Sequence, residues 1–423
     1  MGGRVSLIQV VRPTAGGMQT HVAGLASRLP PSRFRQMVAG PLSSGFQGAL
    51  SRAGVAWATL PVPAGFSPRA VLSAARQLQR LAEDRSAQIV HAHGYIAGVV
   101  AARAVRGLQP RPHLVLTAHV VPHPLTGPNR AGFVRAWGYG WLLRQVDAGI
   151  AVSRAVREAL LAYDPAADSH WRVVYNGIDP RPFQRRVDPG AKRRELGVDP
   201  AAAVVGTVAR LSEEKGVDIF LRAAALVSRE IPNVDFVVVG DGSAREELEQ
   251  LAHVLHLTGQ VLFLGQRRDV PQILAALDIL IVPSREESFG LAALEGIAAG
   301  VPIIASDVAG LREVLGATSL VEFVPPEDPE PLADAIKREL TKVSYDGTQA
   351  HEIALPGGGI SSLADMLVSQ TEFDLDATGL ERRQQASAAS RATEREAVLD
   401  RFDIRRMVHA TIGVYDDLLR ESA

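Results

Sequence analysis

Short apolar runs of strand length recur through this chain, separated by stretches of helical periodicity. That alternation limits the fold more than any other feature. In the front half the runs stand at 4–11, 35–40, 56–60, 88–91, 113–118 and 147–152, with helix-like segments at 18–28, 68–84, 95–107 and 154–162. In the back half they stand at 203–209, 234–239, 261–264, 278–282, 303–305 and 321–324. Strands alternating with helices argue for a parallel sheet wrapped by helices. Two such series predict an α/β chain of two doubly wound, Rossmann-like domains with a crevice between them. Ligands of open α/β sheets bind at the C-terminal ends of the strands. A length of 423 residues fits two domains better than one.

The turn-rich segment Asn176-Gly-Ile-Asp-Pro-Arg-Pro182 marks the boundary, dividing residues 1–178 from 179–400. Residues 344–390 break the rhythm with polar, punctuated sequence, including Pro356-Gly-Gly-Gly359 and Ala386-Ser-Ala-Ala-Ser-Arg391. They are expected to form a poorly ordered or peripheral insertion. Residues 401–423 regain helical periodicity, with Phe402, Met407, Ile412, Tyr415 and Leu419 on one expected buried face.

Composition excludes several chemistries. There is no cysteine, hence no disulfide, zinc thiolate site or cysteine nucleophile. No stretch approaches the roughly 20 apolar residues of a membrane span, and the start resembles a strand rather than a signal peptide. A cytoplasmic location is the expectation. The net charge of −1 hides an asymmetry. Residues 1–180 hold 19 Arg, no Lys and 7 acidic residues, a balance of +12, and the remainder holds 26 basic and 39 acidic residues, a balance of −13. A basic front half suits an anionic partner such as a membrane surface. A solvated basic face, or attraction between the two halves, accounts for it equally well.

The richest functional stretch is residues 284–302, Ser-Arg-Glu-Glu-Ser-Phe-Gly-Leu-Ala-Ala-Leu-Glu-Gly-Ile-Ala-Ala-Gly-Val-Pro. It reads as a turn after a buried strand, then a helix with Ser288 as its N-cap. Glu287 falls in the turn and Glu295 on the second helical turn. Amides at a helix start attract phosphate, while carboxylates accept hydrogen bonds from hydroxyls. The combination suggests a sugar nucleotide.

Other motifs carry weaker signals. Gly16 and Gly17 follow a strand and open a helix, which permits close backbone approach to an anion but is also ordinary turn chemistry. Arg210 and Lys215 place two cations near a strand end, able to neutralise a diphosphate as its charge grows. Gly240 and Gly242 follow another strand and would admit a base or ribose, although plain turns look the same. His91, His93, His113, His119 and His123 crowd the front strand ends. His91 and His93 share a face only if their strand runs through both. Lacking carboxylate or cysteine partners, they predict no metal site. His119 is expected at a strand end, able to hydrogen-bond a sugar or acceptor.

Taken in order, these motifs resemble the retaining GT-B glycosyltransferases of group one, family four. The resemblance rests on Gly16-Gly17 with His21, His119, Tyr175-Asn-Gly-Ile-Asp179, Arg210 to Lys215, Gly240-Asp-Gly242 and Glu287-x7-Glu295. Ala299-Gly-Val-Pro-Ile-Ile-Ala305 and Gly310-Leu-Arg-Glu313 continue it. The resemblance implies a GT-B fold, with the acceptor on the front domain and a nucleoside diphosphate sugar on the back one. It implies that Arg210 and Lys215 hold the diphosphate and that Glu295 holds the ribose. Glu287 would face the transferred sugar, and the backbone of Phe289, Gly290 and Leu291 would meet phosphate. It also implies retention by front-face attack, no metal or other cofactor, and a last helix crossing back to the front domain. The expected partners are a UDP- or GDP-sugar and a glycan or glycolipid acceptor, without nucleic acid. Ala309-Gly310 in place of Gly-Gly, and the 344–390 segment, depart from the pattern. A catalytically silent sugar-nucleotide-binding protein or a sugar-nucleotide epimerase are the alternatives.

Overall fold

The apolar runs become strands, and their order in the sheets decides which loops meet. The computed structural model describes residues 3–13, 16–120, 130–345 and 377–421. His123 and Pro356-Gly-Gly-Gly359 lie outside the described residues. The chain divides into two units, one of residues 1–178, 287–289 and 402–423, the other of 179–286 and 290–401.

Among the described residues of the first unit, seven strands form one sheet. They are β1 (Val5–Val11), β2 (Phe34–Gly40), β3 (Ala56–Thr59), β4 (Ile89–His93), β5 (His113–Ala118), β6 (Ala148–Ala151) and β7 (Trp171–Val173). Their order is β3-β2-β1-β4-β5-β6-β7, and every neighbouring pair is parallel. Chain order reverses between β1 and β4, the switch point at which loops diverge and leave room for a ligand. Val11 pairs with His93, and His93 with Thr117, so three strands end level there.

The core of this unit needs the end of the chain. Leu7, Leu25, Ile89, Val115 and Ile150 pack with Ile404, Met407, Val408, Val414, Tyr415 and Leu418 of helix Ile404–Glu421. Those helical positions recur every three or four residues and form one stripe. The stripe is turned from the expected face. Val408, Thr411, Val414 and Leu418 are buried, whereas Ile412 and Leu419 only flank the cluster. The helix is anchored at its start, where Ile178 N–H donates to the Phe402 carbonyl at 2.8 Å and Ile404 N–H to that of Ile178 at 3.1 Å. A Cβ on Gly177 would stand 2.4 Å from the Ile404 Cα, so glycine is required there.

The second unit has six described strands, β8 (Ala203–Val208), β9 (Val234–Val239), β10 (Val261–Gly265), β11 (Ile279–Val282), β12 (Ile303–Ser306) and β13 (Val321–Val324). The order is β10-β9-β8-β11-β12-β13, all parallel, with the switch between β8 and β11. Phe220, Leu221 and Ala224 of helix Val217–Glu230 and Leu332 and Ile336 of helix Pro329–Tyr345 cover Val205, Phe236 and Ile281.

Most of the 344–390 segment, expected to be poorly ordered or peripheral, lies outside the described residues, at 346–376. Ala377–Arg401 is helix. The run Gln384-Gln-Ala-Ser-Ala-Ala389 is polar, yet alanine and glutamine are good helix formers. The far end of this helix is tied down, with Glu394 accepting from the Ser319 amide and hydroxyl at 2.6 Å each and Leu399 buried.

Tyr415 tests the anchoring of the last helix. Its hydroxyl lies 2.6 Å from His91 Nδ1, and both residues are fully buried. Tyr415→Phe leaves a buried ring nitrogen without its partner and is expected to cost about 1–3 kcal/mol in urea unfolding. A change below about 0.5 kcal/mol, the level of a neutral surface substitution, would contradict the assignment.

Candidate functional site

In the second unit, the loops after β8, β9 and β11 are held by backbone packed on backbone. Gly216 adopts φ 61°, and a Cβ there would lie 2.0 Å from the Pro283 carbonyl oxygen. A Cβ on Gly240 would lie 1.8 Å from the Ala209 oxygen, and one on Gly242 2.2 Å from that of Leu211. Gly240 and Gly242 are thus required for protein to pack against protein, a role the sequence reading did not assign them. Leu211 N–H donates to the Asp241 carbonyl at 3.0 Å, closing the contact.

This packing presents Arg210 and Lys215. Arg210 follows β8 half-exposed and pairs with Glu214, and Lys215 ends the short turn Glu213–Lys215. Arg285, which sequence reasoning missed, braces the same loop. Its amide donates to the Glu214 carbonyl at 2.9 Å and its guanidinium to the Glu213 carbonyl at 2.8 Å. The guanidinium also grips both Asp218 oxygens at 2.7 Å.

Helix Leu291–Ala299 begins beyond β11, and its first amides lack intrahelical acceptors. Its N-cap is Gly290 at φ 87°, not Ser288, since the turn needs a left-handed residue. Ser288 instead donates its amide to Glu287 Oε1 at 3.2 Å. Residues 287–289 belong to the first unit, where the buried Phe289 ring meets Phe402 edge-on at 5.5 Å. Glu295 stands on the helix's second turn. Burial pushes its carboxyl up to about 7.

The first unit's switch point gathers histidines. Gly16, at φ 62°, and Gly17 open helix Gly17–Ala26, which carries the buried His21 on its second turn. His93 ends β4 and His119 follows β5. One nitrogen from each of His21, His93 and His119 lies within 4.8 Å of the others. β4 does run through both His91 and His93, and their rings are 4.3 Å apart. However, His91 is occupied, with Tyr415 at 2.6 Å and Thr117 Oγ1 at 2.7 Å. The histidines that stand together are therefore His93, His21 and His119, and not the adjacent His91 and His93. Burial lowers all three imidazoles, His21 to about 4 against the opposing hydrogen bond of Asn176, so each is neutral at pH 7. The charge of Arg12 adds to the lowering at His119.

Gln9 is a second residue that sequence reasoning missed. Its side chain is fully buried inside the apolar strand β1, and a buried polar group requires partners. That polar residue within an apolar run was the available signal. Gln9 Oε1 faces His93 Nε2 at 3.2 Å, and its amide nitrogen donates to Gln36 at 3.1 Å. Beside His119 lies a narrow apolar slot of about 30 Å³, lined by Gly94, Tyr95, Leu116, Val120, Tyr139 and Leu142 among others. No helix of the described residues is long and apolar enough to cross a membrane.

Comparison with known proteins gives this geometry a context. Residues 15–181 match the model of Glycosyltransferase Family 4, and residues 190–345 that of Glycosyl transferases group 1. The chain is 31% identical over 206 residues to the lipopolysaccharide core biosynthesis mannosyltransferase LpsB of Rhizobium meliloti, covering 46% of this chain and 57% of that protein. It is 35% identical over 236 residues to the D-inositol 3-phosphate glycosyltransferase of Mycolicibacterium gilvum, covering 53% and 52%. The chain thus spans about half the length of the curated relatives it matches. The crystal structure of Alr3699/HepE from Anabaena, in complex with UDP and glucose, has a TM-score of 0.74 at 21% identity over 98% of this chain and 100% of that one. That likeness establishes the GT-B fold.

Glu295 makes stability depend on pH. Its folded value of about 7 exceeds the ordinary 4.5, so the folded chain holds a proton that the unfolded chain releases between those values. Stability is therefore expected to fall as pH rises from about 4.5 to 7, by at most about 3 kcal/mol from this group. Glu295→Gln removes that loss, so its advantage over the parent in urea unfolding grows from pH 5 to pH 7.5. A constant difference would contradict the raised pKa of the Glu295 carboxyl.

Proposed function

The chain belongs to the GT-B glycosyltransferases, and on that premise we propose that it moves a hexosyl group from a UDP- or GDP-sugar to an acceptor hydroxyl with retention. The observation that carries the reading is the second unit's switch point. Arg210 and Lys215 follow β8, and the N-terminus of the Glu295 helix follows β11, its neighbour in the sheet. Two cations and a helix start suit a diphosphate, and a carboxylate one turn along suits the ribose diol. The UDP complex of the Anabaena neighbour supports a uridine nucleotide as the first donor to try.

In this reading the bond from the anomeric carbon to the β-phosphate oxygen breaks, and both electrons stay with the phosphate. Arg210, Lys215 and the helix amides stabilise the charge that develops there. The acceptor oxygen bonds to the anomeric carbon from the same face, and its proton passes to the departing β-phosphate oxygen. Glu287 orients the transferred sugar. His119, neutral, hydrogen-bonds sugar or acceptor. The resident residues supply this chemistry without a metal at the diphosphate. The acceptor is a glycan or glycolipid, and the +12 balance of residues 1–180 supports an acceptor carrying negative charge.

The roles separate by variant. Glu295→Gln is expected to weaken bare nucleoside diphosphate about 10- to 150-fold, the equivalent of a charge-assisted hydrogen bond. Glu287→Gln is expected to leave that affinity nearly unchanged and depress turnover. Arg210→Ala and Lys215→Ala lower kcat more than they weaken donor binding, because they act on charge that grows in the transition state. Calorimetric titration beside steady-state rates reads all four. If Glu287→Gln lost nucleotide affinity while Glu295→Gln kept it, the two roles would be reversed.

A further inference from the structure

The hydrogen bonds around the first unit's histidines decide where their lone pairs point. His21 Nδ1 lies 2.8 Å from Asn176 Oδ1, an oxygen that only accepts, so the proton sits on Nδ1 and Nε2 is bare. His21 is 3% exposed, and its Nε2 has no hydrogen-bond partner among the described residues. A buried polar atom of this kind requires an explanation. For His93 the polarity is set from a distance. The Ala26 carbonyl accepts from the Gln36 amide at 2.6 Å, Gln36 Oε1 accepts from the Gln9 amide at 3.1 Å, and Gln9 Oε1 accepts from His93 Nε2 at 3.2 Å. His93 Nδ1 is therefore also bare, and it faces His119 Nε2 at 3.2 Å. Two nitrogens bound to one tetrahedral ion at about 2.0–2.1 Å stand about 3.3 Å apart.

We propose that His21, His93 and His119 form a three-histidine site for a divalent transition-metal ion of the zinc class, with the fourth position open to water or another oxygen ligand. Imidazole nitrogens favour zinc, copper or nickel over magnesium or calcium. Asn176 and Gln9 do what outer partners of metal-bound histidines do, fixing tautomer and ring direction through the second nitrogen. His93 and His21 need no deprotonation, and His119 need only carry its proton on Nδ1 rather than Nε2. His91 takes no part, because Tyr415 and Thr117 hold both its nitrogens. The Arg12 charge acts on His119 and works against a cation, so an anionic oxygen is favoured at the open position. The ligands come from the three imidazoles alone, and the site shares only His119 with the transferase reading, so cobalt binding tests it separately from turnover.

The probe is cobalt. The full-length protein, stripped with chelator and titrated with Co²⁺ at pH 7.5, is expected to develop visible tetrahedral bands at one equivalent and to lose them when Zn²⁺ is added. His21→Gln and His93→Gln are each expected to weaken binding at least tenfold, and the exposed His409→Gln to leave it unchanged, with circular dichroism confirming folded chains. Because a ligand variant can fail to fold, X-ray absorption of the zinc-loaded parent provides a second reading, with three imidazoles expected around the ion. No stoichiometric band, bands that persist in both ligand variants, or fewer than two imidazoles at the zinc would overturn the site.

Discussion

Direct contact of backbone with backbone sets the geometry of the second unit. The glycines at 216, 240 and 242 bring loop backbones so close to the carbonyls of Pro283, Ala209 and Leu211 that a Cβ would overlap them. The loops after β8, β9 and β11 are consequently one interlocked body rather than three separate tips. Arg285 extends the lock by holding two carbonyls and a carboxylate at once. In the proposed reaction Arg210 and Lys215 meet a developing phosphate charge, and such a charge needs this support because misplacement weakens electrostatic stabilisation steeply.

The first unit reaches a similar end by different means. Its switch point is fixed by buried polar side chains, running from the Ala26 carbonyl through Gln36 and Gln9 to His93 and His119. Each member is satisfied by the next, which gives the chain of bonds one direction and makes it rigid. The last helix contributes as well. Tyr415 reaches His91 from residue 415, so a segment hundreds of residues away in sequence helps to hold the histidine strand in place.

Twelve strands were legible from the sequence because each is a short, largely apolar run set between helical stretches or turns. β7, Trp171–Val173, was not, since three residues carry no alternation. The helices Ser44–Arg52 and Arg130–Leu143 were passed over because glycines interrupt their patterns. The candidate residues of the second unit were legible because charged and glycine residues stand out at strand ends. Their supports were harder to see. Nothing in the sequence says that Gly240 packs against a carbonyl, that Arg285 turns inward to Asp218, or that His93 meets His21 across 72 positions. Those facts depend on sheet order, which periodicity does not encode.

The most direct measure of the account is nucleotide release from a panel of UDP- and GDP-sugars by the purified chain, with the anomeric configuration of any transferred sugar read by nuclear magnetic resonance. The account predicts that one nucleotide class is turned over, that glycosylated product keeps the donor's configuration, and that Arg210→Ala abolishes most of the rate. Tight nucleotide binding with no turnover of any donor, even with acceptor glycans present, would contradict it. So would a product of inverted configuration.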